Sequence, residues 1–237
     1  MNARQHEILR NVEDAHWWHQ VLHRLVLESL RARLRPDARV LDAGCGTGGL
    51  LARLRGFDAF GCDISPAAVE LCKGRGLPQI LVADVHAMPF DEASFDAVLS
   101  LDVLYHAQVD EDRTLAEMRR VLRPGGLLVL NVPAFNCLRG AHDAAVCGVR
   151  RYKREELSAL LSRHGFAEEN THYWNAWLFL PLLLRRRLSR NAEGDLHALP
   201  PWLNGVLAAG GRLDARICRV LRVPFGTSVF ATAQRMP

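Results

Sequence analysis

The sequence of 237 residues predicts an α/β fold in which a mostly parallel sheet is covered by crossover helices. Short apolar runs alternate with amphipathic segments between residues 38 and 132, as the strands and helices of βαβ units do. A glycine-rich turn follows the first apolar run, and the next two runs each end on an aspartate. Apolar residues make up 49% of the chain, enough for a large core. We therefore expect one domain over residues 1–237, with its ligand site at the carboxyl edge of the sheet.

Two regions lead up to the middle of the chain. Residues 1–36 are expected to form a helical lid, because apolar side chains recur at helical spacing from Trp18 to Leu30 and Pro36 ends the run. Residues 37–132 are the alternating core. Its last helix carries a buried apolar stripe, which is typical of a crossover helix that packs on a sheet.

The glycine-rich turn lies within residues 40–49, where an apolar pair runs into Asp42 and then into closely spaced glycines. Such a turn lets the backbone approach a ligand more closely than side chains would allow. Gly44, Gly46 and Gly49 also fit the G-x-G-x-x-G pattern of dinucleotide-binding folds. However, a carboxylate two residues before the first glycine would repel a pyrophosphate. It suits a ligand that carries an ammonium and a sulfonium.

Later carboxylates follow the same arrangement. Asp63 ends a short strand about 20 residues after the first glycine, where an acidic side chain is expected to bind ribose hydroxyls. Ser65 and Pro66 then predict a helix start, with serine as the N-cap. Asp84 closes the next apolar run, and a Pro-Gly-Gly turn precedes a fifth strand near residues 127–130.

In this order the motifs resemble those of class I S-adenosylmethionine-dependent methyltransferases, whose first motif is D/E-x-G-x-G-x-G. The resemblance implies a Rossmann-like, seven-stranded, mostly parallel sheet with an antiparallel last strand, and S-adenosylmethionine as cofactor. It implies that Asp84 faces the adenine amino group, that Val85 touches the ring and that Arg24 approaches the methionine carboxylate. The implied cofactor residues are Asp42, Gly44, Cys45, Gly46, Gly48, Asp63, Ile64, Asp84, Val85, Ser100 and Arg24.

Over its full length the chain is similar to a broad bacterial group of these enzymes that opens with His-Trp-Trp, here residues 16–18. The group also has an Asp followed by Gly-His-x-Arg-Arg-Tyr after the fifth strand. This chain keeps Asp143 and the Arg-Arg-Tyr of residues 150–152, but Cys147 and Gly148 stand where Gly and His are usual. The resemblance is specific for fold and cofactor and says little about the acceptor.

His106 is the first candidate for acid–base chemistry, because it follows the fourth strand at the carboxyl edge of the sheet. Methyl transfer from a sulfonium can proceed largely through proximity and orientation. A base is needed only when the acceptor is a hydroxyl, a protonated amine or an activated carbon. A neutral imidazole could take that proton; the alternative is that His106 only orders its loop or packs on the helix that follows.

Further residues after the fifth strand belong to the candidate acceptor side. His142 and Asp143 fall where a lid or acceptor wall is expected, and their alternative is a solvated loop. Tyr152, with the two arginines before it, could bind an anionic acceptor or could fasten the lid to the helix that follows. We include His106, His142, Asp143 and Tyr152 as catalytic candidates.

Three histidines in the first helix require separate weighing. His16, His19 and His23 share one helix face, and three imidazoles can bind zinc. No carboxylate or thiol stands in register with them, and tryptophans are adjacent. We therefore favour a packed lid over the cofactor and predict no metal.

Residues 133–237 form the acceptor-side region and carry a helical insertion at about 174–222. A helix near residues 153–164 leads to a strand near 166–173, and the final strand is expected near 228–233. The apolar segment 174–187 ends in three arginines. It is expected to wall the acceptor pocket, and the alternative is an interfacial helix that makes peripheral contact with a membrane.

Composition and missing motifs narrow the function. The net charge is only +4 and the charged residues are not concentrated in a basic patch, which argues against a large nucleic-acid-binding surface. Residues 100–103 also lack the Asn/Asp-Pro-Pro-Tyr/Phe motif of enzymes that methylate exocyclic amines of bases. The six cysteines contain no C-x-x-C pair, and no signal peptide or membrane-length apolar run occurs, which favours a cytoplasmic location.

We predict methyl transfer to a small-molecule or lipid- or glycan-like acceptor, at oxygen or nitrogen. The alternatives are a non-catalytic S-adenosylmethionine-binding interaction module, or C-methylation of a quinone-like acceptor.

Overall fold

A computed structural model describes residues 3–140, 143–144, 146–188 and 199–237. Within them, one sheet has the strand order β3-β2-β1-β4-β5-β7-β6. Strands β1 to β5 pair in parallel, and β7 is antiparallel to both of its neighbours. The predicted seven-stranded sheet with an antiparallel last strand is therefore confirmed. The strands are β1 (Arg39–Ala43), β2 (Asp58–Asp63), β3 (Ile80–Val82), β4 (Phe95–Leu101), β5 (Leu122–Pro133), β6 (Phe166–Trp174) and β7 (Ser228–Arg235).

Helices cover both faces of this sheet. They are α1 (Ala3–Val12), α2 (Trp17–Arg33), α3 (Pro66–Lys73), α4 (Glu111–Val121), α5 (Arg154–Arg163), α6 (Phe179–Leu188) and α7 (Pro201–Leu221), with short 3₁₀ turns at Leu51–Arg53, Asn136–Leu138 and Ala176–Leu178. As the sequence predicts, Ser65 caps α3, with its side chain accepting from the backbone N–H of Ala68.

The N-terminal lid differs from the expectation in one respect, because the helical run is broken between Val12 and Trp17. The second helix has its own cap at His16, whose Nδ1 accepts from the backbone N–H of Trp18 at 3.4 Å. The break allows Glu13 to turn towards the glycine-rich turn, where its carboxylate accepts a short hydrogen bond from the hydroxyl of Thr47. A local break thus connects the lid to the core.

The alternation of side chains along the strands builds two cores. On β5, Leu128 and Leu130 face the cluster that contains α4 and α5, whereas Leu127 and Val129 face the cluster that contains α2, α3 and α7. Both faces of the parallel sheet are therefore buried, as apolar strands without polar alternation require.

The insertion between β6 and β7 is helical where the structure describes it. Helices α6 and α7 both lie there, and α7 packs on α2 through small residues. A Cβ built on Gly211 would lie 3.2 Å from Cζ3 of Trp17, so a larger residue there would require Trp17 to shift. Pro181 falls in the first turn of α6, where a missing N–H costs nothing, and so does not kink a longer helix. Within the described residues, the helices are all too short or too polar to cross a bilayer.

Candidate functional site

A cavity of about 890 Å³ lies at the carboxyl ends of β1, β2, β4 and β5. Its floor is the glycine-rich turn and the loops after β2 and β3. The first turns of α2, the loop after β4 and one side of α6 form its walls. Open α/β sheets bind ligands at this edge, so the cavity lies where the sequence predicts a ligand site.

The glycine-rich turn has the backbone conformation that its sequence demands. Gly44, Gly46 and Gly48 have φ values of 86°, 53° and 79°, which side chains rarely tolerate. A Cβ at Gly44 would collide with Val103 in the loop after β4. Gly46 lines the cavity, whereas Gly48 lies outside it, and a Cβ there would lie 2.7 Å from Leu77. Gly48 therefore serves the packing of the turn rather than contact with a ligand.

Asp63, at the end of β2, is held in a fixed position at the cavity. Its Oδ2 accepts from the backbone N–H of Gly46 at 2.9 Å, and its Oδ1 accepts from that of Ser65 at 2.9 Å. Ile64 follows with an exposed side chain on the same cavity wall. A carboxylate fixed in this way is arranged to accept hydrogen bonds from a diol.

Asp42, at the end of β1, is buried beside two other acids. Burial, and then the negative charges of Asp63 and Glu13, raise its pKa to about 7. Burial also raises the pKa of Glu13, and this effect outweighs its hydrogen bonds from Thr47 and Arg75. Three acids thus meet at the turn, so the floor of the cavity favours a ligand with positive charge.

The loop after β3 contributes Asp84 and Val85, both of which line the cavity. His86 fixes the carboxylate: its Nδ1 lies 2.6 Å from Oδ1 of Asp84, and its Nε2 accepts from the backbone N–H of Asp110 at 2.9 Å. Because Nε2 accepts, Nδ1 must carry the proton that is donated to Asp84. Sequence reasoning missed His86, although its position directly after Asp84 and Val85 was a signal.

His106 has the geometry of a base held in one tautomer. Its Nδ1 lies 2.8 Å from the carbonyl oxygen of Val146, which can only accept, so the lone pair of the neutral ring is on Nε2. Burial lowers the pKa of His106, outweighing the backbone hydrogen bonds that favour its charged form. The ring stacks on Tyr105 with centroids 4.3 Å apart and lines the cavity.

Asp143 lines the cavity but is committed to ion pairs. Its Oδ1 and Oδ2 accept from Arg151 at 2.8 and 3.1 Å, and Arg186 of α6 lies 3.8 Å away. Burial favours the protonated carboxyl, yet these contacts and the N–H of Gly140 hold its pKa below the ordinary value. Asp143 therefore joins the segment after β5 to α6, and its carboxylate is not a free base. His142 lies outside the described residues.

Besides Gly48, three predicted site residues lie away from the cavity lining. Tyr152 is buried, and its hydroxyl donates to Oε1 of Glu111 at 2.7 Å, so it fastens the segment after β5 to α4. Arg24 lies on the solvent side of α2, with its Nε 2.8 Å from Oε1 of Glu28. Ser100 is buried in β4, where side chains alternate between faces, and its Oγ has no hydrogen-bond partner among the described residues.

Asp102 is a site residue that the sequence analysis did not identify. It directly follows β4 with a φ of 56°, and its carboxylate accepts from Nδ2 of Asn131 at 3.0 and 3.1 Å. Burial raises its pKa to about 7, despite that hydrogen bond and the positive charge of Arg151. The only signal was an ionisable side chain placed at a strand end beside the cavity.

The three lid histidines all line the cavity. The ring of His19 lies 6.0 Å from that of His16 and 5.8 Å from that of His23, between centroids. Burial lowers the pKa of all three, that of His23 to about 3, so the rings are neutral near pH 7. Across the described ranges, no group of three acidic, histidine or cysteine side chains is arranged to hold a metal.

Comparison with known proteins adds a family model, described as a methyltransferase domain, that matches residues 41–130. A probable tRNA methyltransferase 9B of Mus musculus is 39% identical over 103 residues, which are 43% of this chain and 23% of that protein. Phthiotriol/phenolphthiotriol dimycocerosates methyltransferase 1 of Mycobacterium ulcerans (strain Agy99) is 33% identical over 174 residues, 66% of this chain and 63% of that protein. The chain thus spans less than two thirds of either relative.

A solved structure extends the likeness in fold to nearly the whole chain. Geranyl diphosphate C-methyltransferase from Streptomyces coelicolor A3(2), in complex with Mg²⁺, geranyl diphosphate and S-adenosyl-L-homocysteine, superposes with a TM-score of 0.57 at 20% identity. The match covers 90% of this chain and 80% of that one.

Proposed function

We propose that this chain, whose residues 41–130 match a methyltransferase domain, is a class I S-adenosylmethionine-dependent methyltransferase that transfers a methyl group to a small-molecule or lipid- or glycan-like acceptor at oxygen or nitrogen. The observation that carries this proposal is that one cavity holds both an acidic, glycine-lined floor and a neutral, oriented His106. The first fits a cationic cofactor, and the second fits an acceptor that must lose a proton.

The residues at the cavity floor fit S-adenosylmethionine. Asp42, Asp63 and Glu13 supply negative charge without an equal number of cations, which suits a sulfonium and an ammonium. Gly46 leaves the turn open to close approach, and Asp63 offers a fixed acceptor for ribose hydroxyls. Asp84 and Val85 are placed to bind the adenine. When bound, the cofactor supplies an electrophilic methyl group for in-line displacement.

His106 is proposed to remove the acceptor's proton. Its Nδ1–H is fixed by Val146, so Nε2 carries the lone pair that takes a proton from a hydroxyl or an ammonium. Asp102 follows the same strand and lies half-buried in the cavity wall. Its raised pKa keeps part of it protonated at neutral pH, so it can donate to an acceptor oxygen.

The acceptor side of the cavity is largely apolar. Leu178, Leu182 and Leu199 come from the insertion, and Leu138 and Val146 come from the segment after β5. Apolar walls select apolar ligands, which supports a lipid-like acceptor. The Mycobacterium ulcerans relative, whose name specifies dimycocerosate lipids, agrees with that choice.

The alternatives are a non-catalytic S-adenosylmethionine-binding module and C-methylation of a quinone-like acceptor. A nucleic-acid acceptor, as named for the Mus musculus relative, stays outside our proposal because the net charge is only +4. The cysteines are free thiols, four of them buried, which supports a reducing compartment such as the cytoplasm.

The test begins with calorimetric titration of the purified chain with S-adenosylmethionine, and with NAD as the control. Binding of the first alone is expected. Hydroxylated lipids and glycans are then screened for methyl transfer, with His106→Ala as the matched variant. Cofactor binding without transfer to any acceptor would favour the non-catalytic module, and failure to bind the cofactor would refute the proposal.

A further inference from the structure

Helix α7 exposes five large apolar side chains to solvent, although a helix that packs on a core usually buries such side chains. Trp202, Val206, Leu213, Ile217 and Val220 are between 43% and 74% exposed. At 100° per residue these five positions fall within an arc of about 60°. The opposite side of the helix, with Ala208, Gly211, Ala215 and Cys218, is buried against the rest of the molecule. We call the five exposed positions the outer face of α7.

Helix α7, which carries the outer face, is fixed to the start of α2. The side chain of Asn204 accepts from the backbone N–H of Trp17 at 2.7 Å and donates to the carbonyl of Ala15 at 2.6 Å. Gly211 lets α7 lie against α2, since a Cβ there would be 3.1 Å from Val21. The exposed apolar side chains therefore do not belong to a loosely attached helix.

Positive charge borders the outer face. On the helical wheel Arg216 and Arg212 flank its apolar arc on one side, and Arg222 follows the last turn. None of these three forms an ion pair with a residue that the structure describes. Asp214, the acid of this helix, is turned inward and accepts from the backbone N–H groups of the turn before α6 at 3.2 Å.

Helix α6 connects this surface to the cavity. Leu182 and Arg186 line the cavity, whereas Leu180 and Leu184 on the other side are 60% and 57% exposed. A single helix thus separates the acceptor wall from the outside, and its exposed side combines these two leucines with the exposed Arg187. A lipid-like molecule that entered past α6 would meet Leu180 and Leu184 on the outside and Leu182 at the cavity.

We propose that the outer face of α7, with the exposed side of α6, binds the interface of an anionic lipid bilayer and that the acceptor enters the cavity from that bilayer. Apolar side chains that insert into the boundary region and arginines at the level of the lipid phosphates are the elements of an interfacial helix. A second copy of the chain is the alternative occupant of this face, and the experiment below distinguishes it. The entry of the acceptor rests on the proposed methyl transfer, whereas the bilayer contact does not.

The contact is tested by co-sedimentation of the full chain with two kinds of vesicle. One consists of phosphatidylcholine, and the other contains equal parts of phosphatidylcholine and phosphatidylglycerol. The parent is expected to bind the second kind and to bind the first at least about tenfold more weakly. Leu213→Glu combined with Ile217→Glu should weaken binding about tenfold or more, because two apolar side chains no longer insert.

Matched controls separate this surface from general effects. Leu81 in the edge strand β3 is 44% exposed, against 43% for Ile217, and Leu81→Glu should bind vesicles like the parent. Arg216→Gln should weaken binding to anionic vesicles about fivefold and leave binding to neutral ones unchanged.

Several results would overturn the proposal. These are no binding to anionic vesicles, equal binding by the Leu213→Glu/Ile217→Glu variant, or a dimer that this variant converts to a monomer in light scattering. The last result would assign the face to a second copy. S-adenosylmethionine titration of the same variant should match the parent and so shows that it is folded. A parent that binds vesicles but not the cofactor would refute the proposed function and leave the bilayer contact standing.

Discussion

Deprotonation of Asp42 should control cofactor affinity near neutral pH. Burial, followed by the charges of Asp63 and Glu13, raises the pKa of Asp42 to about 7. A carboxyl group with that pKa is ionised in ~10% of molecules at about pH 6 and in ~90% at about pH 8. S-adenosylmethionine carries a sulfonium and an ammonium and should bind the ionised form, so its apparent dissociation constant should fall about tenfold between these two pH values.

Calorimetric titration of the parent and of Asp42→Asn at both pH values measures this effect. The variant should bind more weakly at about pH 8 and should lose the tenfold pH dependence, and the comparison cancels the titration of the ligand's own amine. Asp102→Asn is the matched control, because burial also raises the pKa of Asp102 to about 7 within the same cavity. It should keep the dependence. A flat profile in the parent, or an unchanged profile in Asp42→Asn, would refute the reasoning.

The same carboxyl group should make the cofactor-free protein less stable as pH rises. The pKa of Asp42 is about 7 in the folded state. In the unfolded chain an aspartate titrates near ~3.9, so between the two values the folded state binds more protons. The free energy of unfolding therefore falls as pH rises through this window, by ~1 to ~4 kcal/mol. Asp42→Asn should raise the thermal midpoint at about pH 8 but not at about pH 4, as scanning calorimetry can check; an equal gain at both would contradict the linkage.

Other predictions concern single side chains. Asp63→Ala should weaken S-adenosylmethionine binding by about tenfold or more, because the hydrogen bonds to the ribose are lost, and calorimetry with unchanged affinity would remove Asp63 from the site. His106→Ala should lower kcat by a factor of about a hundred or more with little change in acceptor KM, and a variant as fast as the parent would exclude a base role. Tyr152→Phe should cost ~1 kcal/mol of stability in urea unfolding and leave turnover unchanged, since its hydroxyl bonds Glu111 outside the cavity; a large loss of kcat would contradict that. Burial lowers the pKa of His23 to about 3, so its contribution to stability is present above ~6.5 and falls as pH drops towards 3; the melting temperatures of the parent and His23→Gln should converge on acidification.

The fold was predictable because each strand and helix of the core has its own local signal in the sequence. Each strand of the core is a short apolar run, and the helix after β2 begins with its own cap at Ser65. Alternation on β5 places Leu128 and Val129 in opposite cores without any information from distant residues. The acidic floor was predictable for the same reason, since Asp42 and Asp63 end consecutive strands whose carboxyl ends meet.

The parts that the sequence did not reveal depend on contacts between distant residues. Glu13 reaches Thr47 across 34 positions, and nothing in the periodicity of the lid signals that the helix breaks there. The Arg-Arg-Tyr of residues 150–152 indicated a functional segment, but its hydrogen bonds run to Leu104 and Glu111 and to Asp143. Which polar residues face a cavity depends on how loops that are distant in sequence pack against each other. The local sequence pattern does not predict that packing.

The contact between Gly44 and Val103 couples the glycine-rich turn to the loop after β4. Gly44 belongs to the glycine-rich turn, and Val103 belongs to the loop that carries Asp102 and His106. Because the space at Gly44 is filled by that valine, the loop after β4 cannot move inward without displacing the turn. Anyone who grafts a new post-β4 loop onto this scaffold to change its acceptor would have to keep a side chain no larger than valine at position 103. Redesign of acceptor choice is thus constrained by a packing contact on the cofactor side.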